Sequence, residues 1–358
     1  MSLNTANRLE KLRRGLAGKE LDGIFISQPQ NRYYLSGFDG SAGYLLITPQ
    51  DAIIATDFRY VEQVKEQSPD YRLFRISDGV AEWFPSLVAE LNLGRAGFEA
   101  GDITYNLYRQ LTDSLKNAGS PLQLVPTDGL VESLRAVKEP EEIECITRAV
   151  EITNRAFEHI GKVIRTGMTE IEVAWELEKF QREQDSQAMP FDVIVASGSN
   201  AALPHHKPSQ RKIRSGEPVV IDMGARVEGY CSDFTRTLCP GEPDDTFKKV
   251  YDTVLGAQLA AITLIKEGMS GGEADSFART VIYEAGYGEA FGHSLGHGVG
   301  LAEHEQPRLG PKSTDELTSG MVFSIEPGIY VPGWGGVRIE DLVTIDNGEI
   351  KVLSNGKK

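Results

Sequence analysis

"PVVIDMGARVEGYCSDFTRTL" (residues 218–238) has the pattern of two short β-strands joined by a turn, with one aspartate in each strand region, Asp222 and Asp233. Asp222 ends a run of apolar residues, so its carboxylate is expected at the end of a buried strand. Burying an ionised carboxylate is costly unless it is paired or binds a metal ion. The stretch therefore predicts a strand pair in the core and a chemical use for its acidic residues.

A later stretch has a similar pattern. "MVFSIEPGIYVPGWGGVRIEDLVTI" (321–345) carries Glu326 and Glu340, and Glu326-x-Gly matches Asp222-x-Gly. Upstream, "GMTEIEVAWELE" (167–178) is similar to "GMSGGEADSFAR" (268–279), and an amphipathic segment precedes each. In the first copy, Thr169 and Glu172 have the spacing of a helix capping box. These matches predict two similar halves, each helix–helix–hairpin, around a pseudo-twofold axis. A site between the halves would take two carboxylates from each.

The chain before these repeats has the pattern of a separate α/β domain. The helical spacing of Leu9, Leu12 and Leu16 predicts a first helix. Four apolar runs then predict strands: "DGIFIS" (22–27), "GYLLIT" (43–48), "AIIAT" (52–56) and "LQLVP" (122–126). The second and third of these runs flank a short turn and predict a hairpin. A long amphipathic helix is predicted to begin near Pro140. We therefore predict two domains, residues 1–132 and 133–358.

Composition limits the class of protein. The 358 residues are 40% hydrophobic and 25% charged, which is typical of a globular protein that can bury a sizeable core. The net charge of −15 argues against nucleic acid or an anionic membrane as a partner. Three cysteines without CxxC spacing indicate free thiols in a reducing compartment. With no signal-peptide core and no long apolar run, we expect a cytoplasmic protein.

The four strand-borne carboxylates favour a metal site. Arg236 and Arg338 could neutralise two of them but not all four, whereas two divalent cations would balance the whole set. Two-metal sites use shared carboxylates to hold their ions close together. A site rich in oxygen with a single imidazole favours Mn²⁺ or Co²⁺, with Zn²⁺ or Fe²⁺ as alternatives.

The histidine ligand is less well determined by the residues alone. "FGHSLGHGVGLAEHE" (291–305) holds three of the six histidines, among glycines that let the backbone approach a ligand closely. A lone histidine is more often a hydrogen-bonded core residue than a ligand. His293, His297 and His304 therefore stay open as candidates, as does His205 in the turn-like "ALPHHKP" (202–208).

Taken together, the motifs strongly resemble a known family. "LPHH" (203–206), "VVIDMGARVEGYCSDFTRT" (219–237), "HSLGHGVGLAEHE" (293–305) and "FSIEPGIYVPGWGGVRIED" (323–341) resemble the proline-specific metallopeptidases of the pita-bread fold, Xaa-Pro dipeptidase (prolidase) and aminopeptidase P. "YYLSGFDGSAGYLLIT" (33–48) and "TDFRY" (56–60) resemble the creatinase/prolidase-type N-terminal domain. The implied fold is α+β: an α/β N-terminal domain of that type, then a pita-bread catalytic domain with an internal pseudo-twofold repeat.

The resemblance also implies a role for individual residues. The implied metal ligands are Asp222, Asp233, His297, Glu326 and Glu340, with Asp233 and Glu340 bridging two ions. The implied catalytic residues are His205, His304 and Glu326, and the implied substrate-binding residues are Phe191, His205, His304, Arg308 and Arg338. Thr235 and Arg338 would support a site water and a carboxylate, and His293 would support the ligands. His206 receives no role.

The implied activity is hydrolysis of Xaa-Pro bonds, most of all in dipeptides, because Arg308 could face the proline carboxylate. One alternative is an aminopeptidase P acting on longer Xaa-Pro-Yaa peptides, and another is a catalytically inactive pita-bread module that binds peptides or proteins. The N-terminal domain argues against methionine aminopeptidase, and the full ligand set argues against a metal-free creatinase-like hydrolase. The expected partner is a small peptide with proline as its second residue, with no nucleic acid and no membrane. We also expect a homodimer.

Overall fold

The computed structural model describes residues 4–358 and divides into two compact units, Met1–Arg135 and Ala136–Lys358. The predicted domain boundary between residues 132 and 133 lies near this division and stays a prediction. No disulfide bond joins Cys145, Cys231 and Cys239. None of the helices within residues 4–358 combines the length and the apolarity that crossing a bilayer requires.

The first unit is a mixed α/β structure. Its elements are α1 (Thr5–Gly18), β1 (Gly23–Ile26), α2 (Pro29–Ser36), β2 (Tyr44–Ile47), β3 (Ala52–Thr56), α3 (Val61–Gln67), β4 (Arg72–Arg75), α4 (Val80–Glu90), β5 (Arg95–Glu99), α5 (Tyr105–Asn117) and β6 (Gln123–Thr127), followed by the short α6 (Glu132–Ala136). The strands form one sheet in the order β4-β3-β2-β1-β5-β6. β2 pairs antiparallel with β1 and with β3, and the other pairs are parallel. The predicted first helix, hairpin and strands are confirmed.

The central strand β1 is buried on both faces, which explains its unbroken apolar sequence. Phe25 points to the side of α4, where its ring centroid lies 5.3 Å from that of Phe84 and 6.4 Å from that of Trp83. Successive strand residues point to opposite faces, so Ile24 and Ile26 point the other way, and both are fully buried. The strand thus needs apolar residues at every position.

Glu99, the last residue of β5, joins this sheet to α2. Its Oε2 accepts hydrogen bonds from the N–H groups of Ser27 and Gln28, both at 2.7 Å, and its Oε1 accepts one from Asn31 Nδ2 at 2.6 Å. Asn31 Nδ2 also donates to Glu132 Oε1 at 2.6 Å. Burial raises the pKa of Glu99 from its ordinary value of 4.5 to about 7, although the hydrogen bonds act in the opposite direction.

We predict that this raised pKa makes the first unit less stable as the pH rises. Folding then favours the protonated carboxyl, so its contribution is complete below about pH 4.5 and is lost as the pH passes through the folded-state pKa near 7. The difference in free energy of unfolding is on the order of 3 kcal/mol. Urea unfolding at several pH values should show this dependence for the native protein and a flatter profile for Glu99→Gln. Glu82→Gln, an exposed change on α4, is the matched control, and an equal slope for all three proteins would contradict the assignment.

The second unit carries the predicted repeat. Its elements are α7 (Pro140–Val163), α8 (Glu170–Glu183), β7 (Ile194–Ser197), β8 (Val219–Met223), β9 (Arg226–Val227), β10 (Tyr230–Cys231), β11 (Phe234–Leu238), α9 (Asp245–Leu264), α10 (Gly271–Glu284), β12 (Gly296–Gly298), β13 (Glu305–Leu309), β14 (Val322–Ile325), β15 (Gly328–Val331), β16 (Gly335–Arg338), β17 (Asp341–Asp346) and β18 (Glu349–Val352). The sheets have the orders β11-β8-β7 and β13-β12-β14-β17-β18, with two further pairs, β9–β10 and β15–β16. The long helix from Pro140 is confirmed.

The two halves of this unit begin in the same way. A long helix, α7 or α9, is followed by a shorter one, α8 or α10, and both shorter helices start with a complete capping box. The predicted box of Thr169 and Glu172 is confirmed, and Ser270 and Glu273 form its counterpart. Each half also has its own hydrophobic core, as expected of repeated units that fold around a common axis.

Hydrogen bonds between β11 and the β16–β17 segment join the halves. Thr237 Oγ1 donates to the Arg338 carbonyl oxygen at 2.9 Å, and the Arg338 N–H donates back to Thr237 Oγ1 at 3.0 Å. The N–H of Glu340 donates to the Thr235 carbonyl oxygen at 3.0 Å. We call this line of contacts the seam. It places a carboxylate from the second half beside the strand that follows Asp233 in the first.

Candidate metal centre

The five predicted ligands all lie in or beside strands of the second unit. Asp222 is in β8, Asp233 directly precedes β11, His297 is in β12, Glu326 directly follows β14, and Glu340 lies between β16 and β17. Across the β8–β11 pair, Asp222 lies opposite Thr235. Strand ends near the seam therefore supply carboxylates from both halves, as the repeat predicted.

The structure brings these side chains into one buried cluster. His297 Nε2 lies 3.2 Å from Glu326 Oε1 and 3.6 Å from Asp233 Oδ2. Asp233, His297 and Glu340 each offer a ligand atom, and these atoms lie within 4.8 Å of one another. That spacing suits three ligands that share one cation.

Repulsion among the carboxylates is visible in their pKa values. Burial, followed by the charge of Glu340, raises the pKa of Asp233 well above its usual range. Burial, followed by the charges of Glu326 and Asp222, does the same for Glu340. Burial also raises the pKa of Asp222, although Arg338 opposes it. A cluster of this kind ionises fully only when positive charge enters it.

Glu326 differs from the other carboxylates because it faces cationic groups. Burial acts to raise its pKa, but the hydrogen bond and charge of His297, helped by His293 and Arg338, lower it to about 2. Glu326 Oε1 also accepts a hydrogen bond from Ser324 Oγ at 3.0 Å. Glu326 is therefore held in its ionised form.

Unused acceptor atoms show that the residues fit a cation. Asp222 Oδ1 and Glu340 Oε1 are buried and have no hydrogen-bond partner among residues 4–358. A buried carboxylate oxygen without a partner is costly, and a metal ion would satisfy it. His297 Nδ1 lies 3.1 Å from the Gly298 carbonyl oxygen, so Nδ1 carries a proton, and Nε2, which faces the carboxylates, is the nitrogen that would bind a metal ion.

Thr235 and Arg338 orient two of the ligands. Thr235 Oγ1 donates to Glu340 Oε2 at 2.6 Å, and Arg338 Nη2 donates to Asp222 Oδ2 at 2.6 Å. Arg338 Nε also donates to Thr235 Oγ1 at 3.2 Å, which links the two supports. The expected pairing of Arg338 with one of the four carboxylates is confirmed.

Arg236 could have neutralised one of the four carboxylates, but it pairs with a different acid. Its Nη2 donates to Asp341 Oδ1 at 2.7 Å, and its other donors bind carbonyl oxygens, including that of Gly356. Both partners of the ion pair are buried. Arg236 therefore neutralises Asp341, next to the cluster, and leaves the four predicted carboxylates with Arg338 as their arginine partner.

The three histidines of residues 291–305 have different surroundings. The ring centroid of His304 lies 4.0 Å from that of His297, and its side chain is largely exposed. Partial desolvation of the ring, followed by the charge of His297, lowers the pKa of His304. His293 Nε2 lies 3.0 Å from the hydroxyl of Tyr330, which also accepts from Arg338 Nη1 at 2.9 Å. His304 thus lies beside His297 on the exposed side, while His293 is linked through Tyr330 to Arg338.

The other predicted site residues are placed less directly. His205 is exposed, and the preceding Pro204 carbonyl oxygen accepts a hydrogen bond from Arg338 Nη1 at 3.4 Å. Phe191 lies against Gly224, two residues after Asp222, so closely that a side chain on that glycine would collide with it. Arg308 is exposed and lies directly opposite His297 in the β12–β13 pair.

Two contacts near the cluster and its neighbouring loop were not predicted from the sequence. Tyr330 connects His293 to Arg338, but an aromatic residue in a strand is too common to signal such a role. His206, to which no role was assigned, hydrogen-bonds a buried carboxylate, Glu170, at 2.9 Å. The capping-box sequence places Glu170 at the start of α8, but it does not reveal what its carboxylate binds.

A unit of two similar halves with buried carboxylates and an imidazole at their seam has the architecture of a metalloenzyme. The chain belongs to metallopeptidase family M24, whose sequence profile matches residues 144–347. Residues 8–137 match the creatinase/prolidase N-terminal domain. The predicted fold, with a pita-bread catalytic domain and an internal pseudo-twofold repeat, is confirmed. The family binds divalent metal ions.

Individual relatives are similar over nearly the whole chain. The structure of the Xaa-Pro dipeptidase from Bacillus anthracis is 42% identical, with a TM-score of 0.95 over 99% of both chains. The Xaa-Pro dipeptidase of Pyrococcus furiosus is 38% identical over 98% of each chain. The X-Pro aminopeptidase structure from Thermotoga maritima is 37% identical, with a TM-score of 0.88 over 97% of both chains. The resemblance to the prolidase and aminopeptidase P family is confirmed.

We predict that Asp233→Ala removes metal and the stability that metal confers. A metal ion at 100 times its dissociation constant stabilises the folded state by about 3 kcal/mol. Melting temperature and elemental analysis, each with and without a chelator, should show bound metal and a chelator-dependent shift for the native protein. Both should be lost or sharply reduced in Asp233→Ala. Asp252→Ala, an exposed change on α9, is the control. Full metal content in Asp233→Ala would exclude this residue as a ligand.

Proposed function

We propose that this proline-specific metallopeptidase hydrolyses Xaa-Pro dipeptides and uses two divalent cations held at the seam. The observation that carries the proposal is the buried cluster with its partnerless carboxylate oxygens, in a family M24 chain. Relatives named Xaa-Pro dipeptidase are similar to this chain over almost its full length.

In this proposal, Asp222 would serve one cation, His297 and Glu326 would serve the other, and Asp233 and Glu340 would contribute to both. The oxygen-rich ligand set with one imidazole favours Mn²⁺ or Co²⁺, with Zn²⁺ and Fe²⁺ as alternatives. When bound, such cations lower the pKa of water and polarise a carbonyl group. Arg338 and Thr235 keep two of the ligand carboxylates in place through the hydrogen bonds described above.

Glu326 and His304 are proposed to transfer the proton and to stabilise the negative charge that develops during hydrolysis. Hydrolysis adds the oxygen of water to the scissile carbonyl carbon and moves one proton to the departing proline nitrogen, which has no N–H in the peptide. Glu326, which lies 3.2 Å from His297 Nε2 within the cluster, accepts that proton and passes it on. His304 donates a hydrogen bond to the carbonyl oxygen as negative charge develops there.

The substrate would be held by residues around the cluster. His205 follows the Pro204 carbonyl group that Arg338 binds, so it stands near the Asp222 side. Phe191 packs against the backbone just after Asp222 and offers an apolar surface to the peptide. Arg308 lies opposite His297, and directly opposed residues of an antiparallel pair project to the same face.

A cleavage panel tests the proposed function. Purified protein loaded with Mn²⁺ or Co²⁺ should cleave Xaa-Pro dipeptides with a higher kcat/KM than matched Xaa-Pro-Yaa tripeptides. A preference of about tenfold or more for tripeptides, equal to 1.4 kcal/mol, would make the protein an aminopeptidase P. An absence of cleavage with bound metal would favour the inactive binding module.

We predict that His304→Ala lowers kcat by about 10²–10³-fold, the typical effect of losing one oxyanion donor. Metal content should stay at the native level, because His304 lies beside the ligand His297 but is largely exposed. Steady-state kinetics and elemental analysis measure the two effects. His159→Gln, on α7 beside Glu176, is the control. A large loss of metal in His304→Ala would show instead that His304 is a ligand.

We predict that Arg308→Ala raises KM for Xaa-Pro dipeptides and leaves tripeptide cleavage nearly unchanged. The free proline carboxylate of a dipeptide suits a guanidinium group, whereas a tripeptide has no carboxylate at that position. Losing a hydrogen bond to a charged group costs about 1.5–3 kcal/mol, which corresponds to a rise in KM of roughly ten- to a hundredfold. Arg155→Ala, exposed on α7, is the control. An equal effect on both substrate lengths would rule out a carboxylate clamp.

Domain bounds, oligomeric state and cellular location are also part of the proposed function. In this proposal, residues 1–132 form the N-terminal domain and residues 133–358 form the catalytic domain. The protein is a homodimer, and light scattering of the purified protein tests this oligomeric state. A cytoplasmic location agrees with three cysteines that form no disulfide bond. Fractionation of the source cells checks this location.

A further inference from the structure

A buried carboxylate outside the metal centre holds one loop at several points. Glu170, the first residue of α8, is fully buried. Its Oε1 accepts hydrogen bonds from Ser197 N at 2.8 Å, Ser197 Oγ at 2.7 Å and Asn200 Nδ2 at 3.0 Å. Its Oε2 accepts from Ser209 N at 3.0 Å and Ser209 Oγ at 2.6 Å, and it hydrogen-bonds His206 Nε2 at 2.9 Å. One side chain thus ties both ends and the middle of residues 197–209.

This carboxylate is ionised in the folded protein. Burial acts to raise its pKa, but hydrogen bonds from Ser209, His206 and Ser197 lower the pKa of Glu170 to about 2. Its position in the first turn of α8 adds the favourable field of the helix N-terminus. Hydrogen bonds to an ionised acceptor are about twice as strong as neutral ones, so the loop is firmly held.

The same loop is also attached to the metal centre. Arg338, which pairs with Asp222, donates to the Pro204 carbonyl oxygen at 3.4 Å. Strand β16 runs so close to the loop that a side chain on Gly336 would collide with the Ala201 carbonyl oxygen. His205 follows Pro204 directly and precedes His206, so it lies between the attachment to Arg338 and the attachment to Glu170.

We infer that Glu170 is a positioning residue for His205, because it fixes the loop from which that imidazole reaches the substrate. The inference rests on the proposed peptidase function, which gives His205 its catalytic role. Glu170→Gln preserves size and shape but replaces one acceptor oxygen with an NH₂ donor. The amide would then face donor groups of the loop, either at Ser197 and Asn200 or at His206 and Ser209.

Glu170→Gln should lower kcat for an Xaa-Pro dipeptide by about 10–100-fold, since a displacement of about 1 Å can cost that much. KM and metal content should change by less than about twofold, because the hydrogen-bond partners of Glu170 within residues 4–358 are Ser197, Asn200, His206 and Ser209, none of which is a proposed metal ligand. In a His205→Ala background, Glu170→Gln should cause little additional loss, since residues that act as one unit are not additive. A purely structural role would instead multiply the two losses.

Glu172→Gln is the matched control. Glu172 lies in the same first turn of α8, and glutamine can replace glutamate in a capping box, so kcat should stay native. Hydrogen exchange of residues 198–209 gives a readout that does not depend on activity. It should become faster in Glu170→Gln and stay native in Glu172→Gln. His206→Ala, which removes one of the donors, is a second and milder variant with the same expected direction.

The outcomes separate this inference from the proposed function. A native kcat in Glu170→Gln and His206→Ala, fully multiplicative losses with His205→Ala, or loss of metal would each overturn the positioning role. A native protein that cleaves no Xaa-Pro peptide would overturn the proposed function, and with it the role of His205. Hydrogen exchange would then test only whether Glu170 holds the loop. Faster exchange in Glu170→Gln would support this anchoring, and native exchange would refute it.

Discussion

Electrostatic repulsion among four carboxylates at one buried seam is the constraint on which the second unit depends. Asp233 and Glu340 have strongly raised pKa values because each is buried beside other acids. Arg338 pairs with Asp222, but the other three acids have no arginine partner of their own within residues 4–358, so the repulsion is only partly removed. The surrounding protein leaves two carboxylate oxygens, on Asp222 and Glu340, without hydrogen-bond partners in the part of the chain that the structure describes. The scaffold is thus built to be completed by cations, and a metallopeptidase of family M24 uses this incompleteness.

The backbone keeps these acids together by joining two halves that are distant in sequence. Thr237 and Arg338 exchange hydrogen bonds at the seam, and Thr235 binds both the backbone and the side chain of Glu340. Arg236 stabilises the same seam from its own buried pair with Asp341. Arg236 therefore serves in a structural ion pair, whereas Arg338 supports Asp222 in the cluster. The residue pattern around the two arginines does not show this division.

Hydrogen bonds from two sides hold the loop that carries His205, a residue proposed to contact the substrate. Arg338 reaches the Pro204 carbonyl group from the ligand side, and Glu170 holds the same loop through His206 and Ser209 from the helix side. A histidine on an exposed loop would otherwise lose orientation, because loops move more than the elements they connect. Arg338 and Glu170 thus hold the loop on both sides of His205, and this gives the rigidity that the proposed catalytic role of His205 would require.

Much of this protein was determined by short-range sequence pattern. Apolar runs specify β1 and β8, the capping boxes specify where α8 and α10 begin, and the matched acidic motifs indicate paired halves. Together with the family motifs, they predicted which residues join the cluster. Only the tertiary structure decided that Arg236 pairs with Asp341, that Tyr330 links His293 to Arg338, and that Glu170 binds His206. The reason is physical: periodicity and capping act over a few residues, whereas the pairing of Arg236 with Asp341 depends on how two halves of the chain meet.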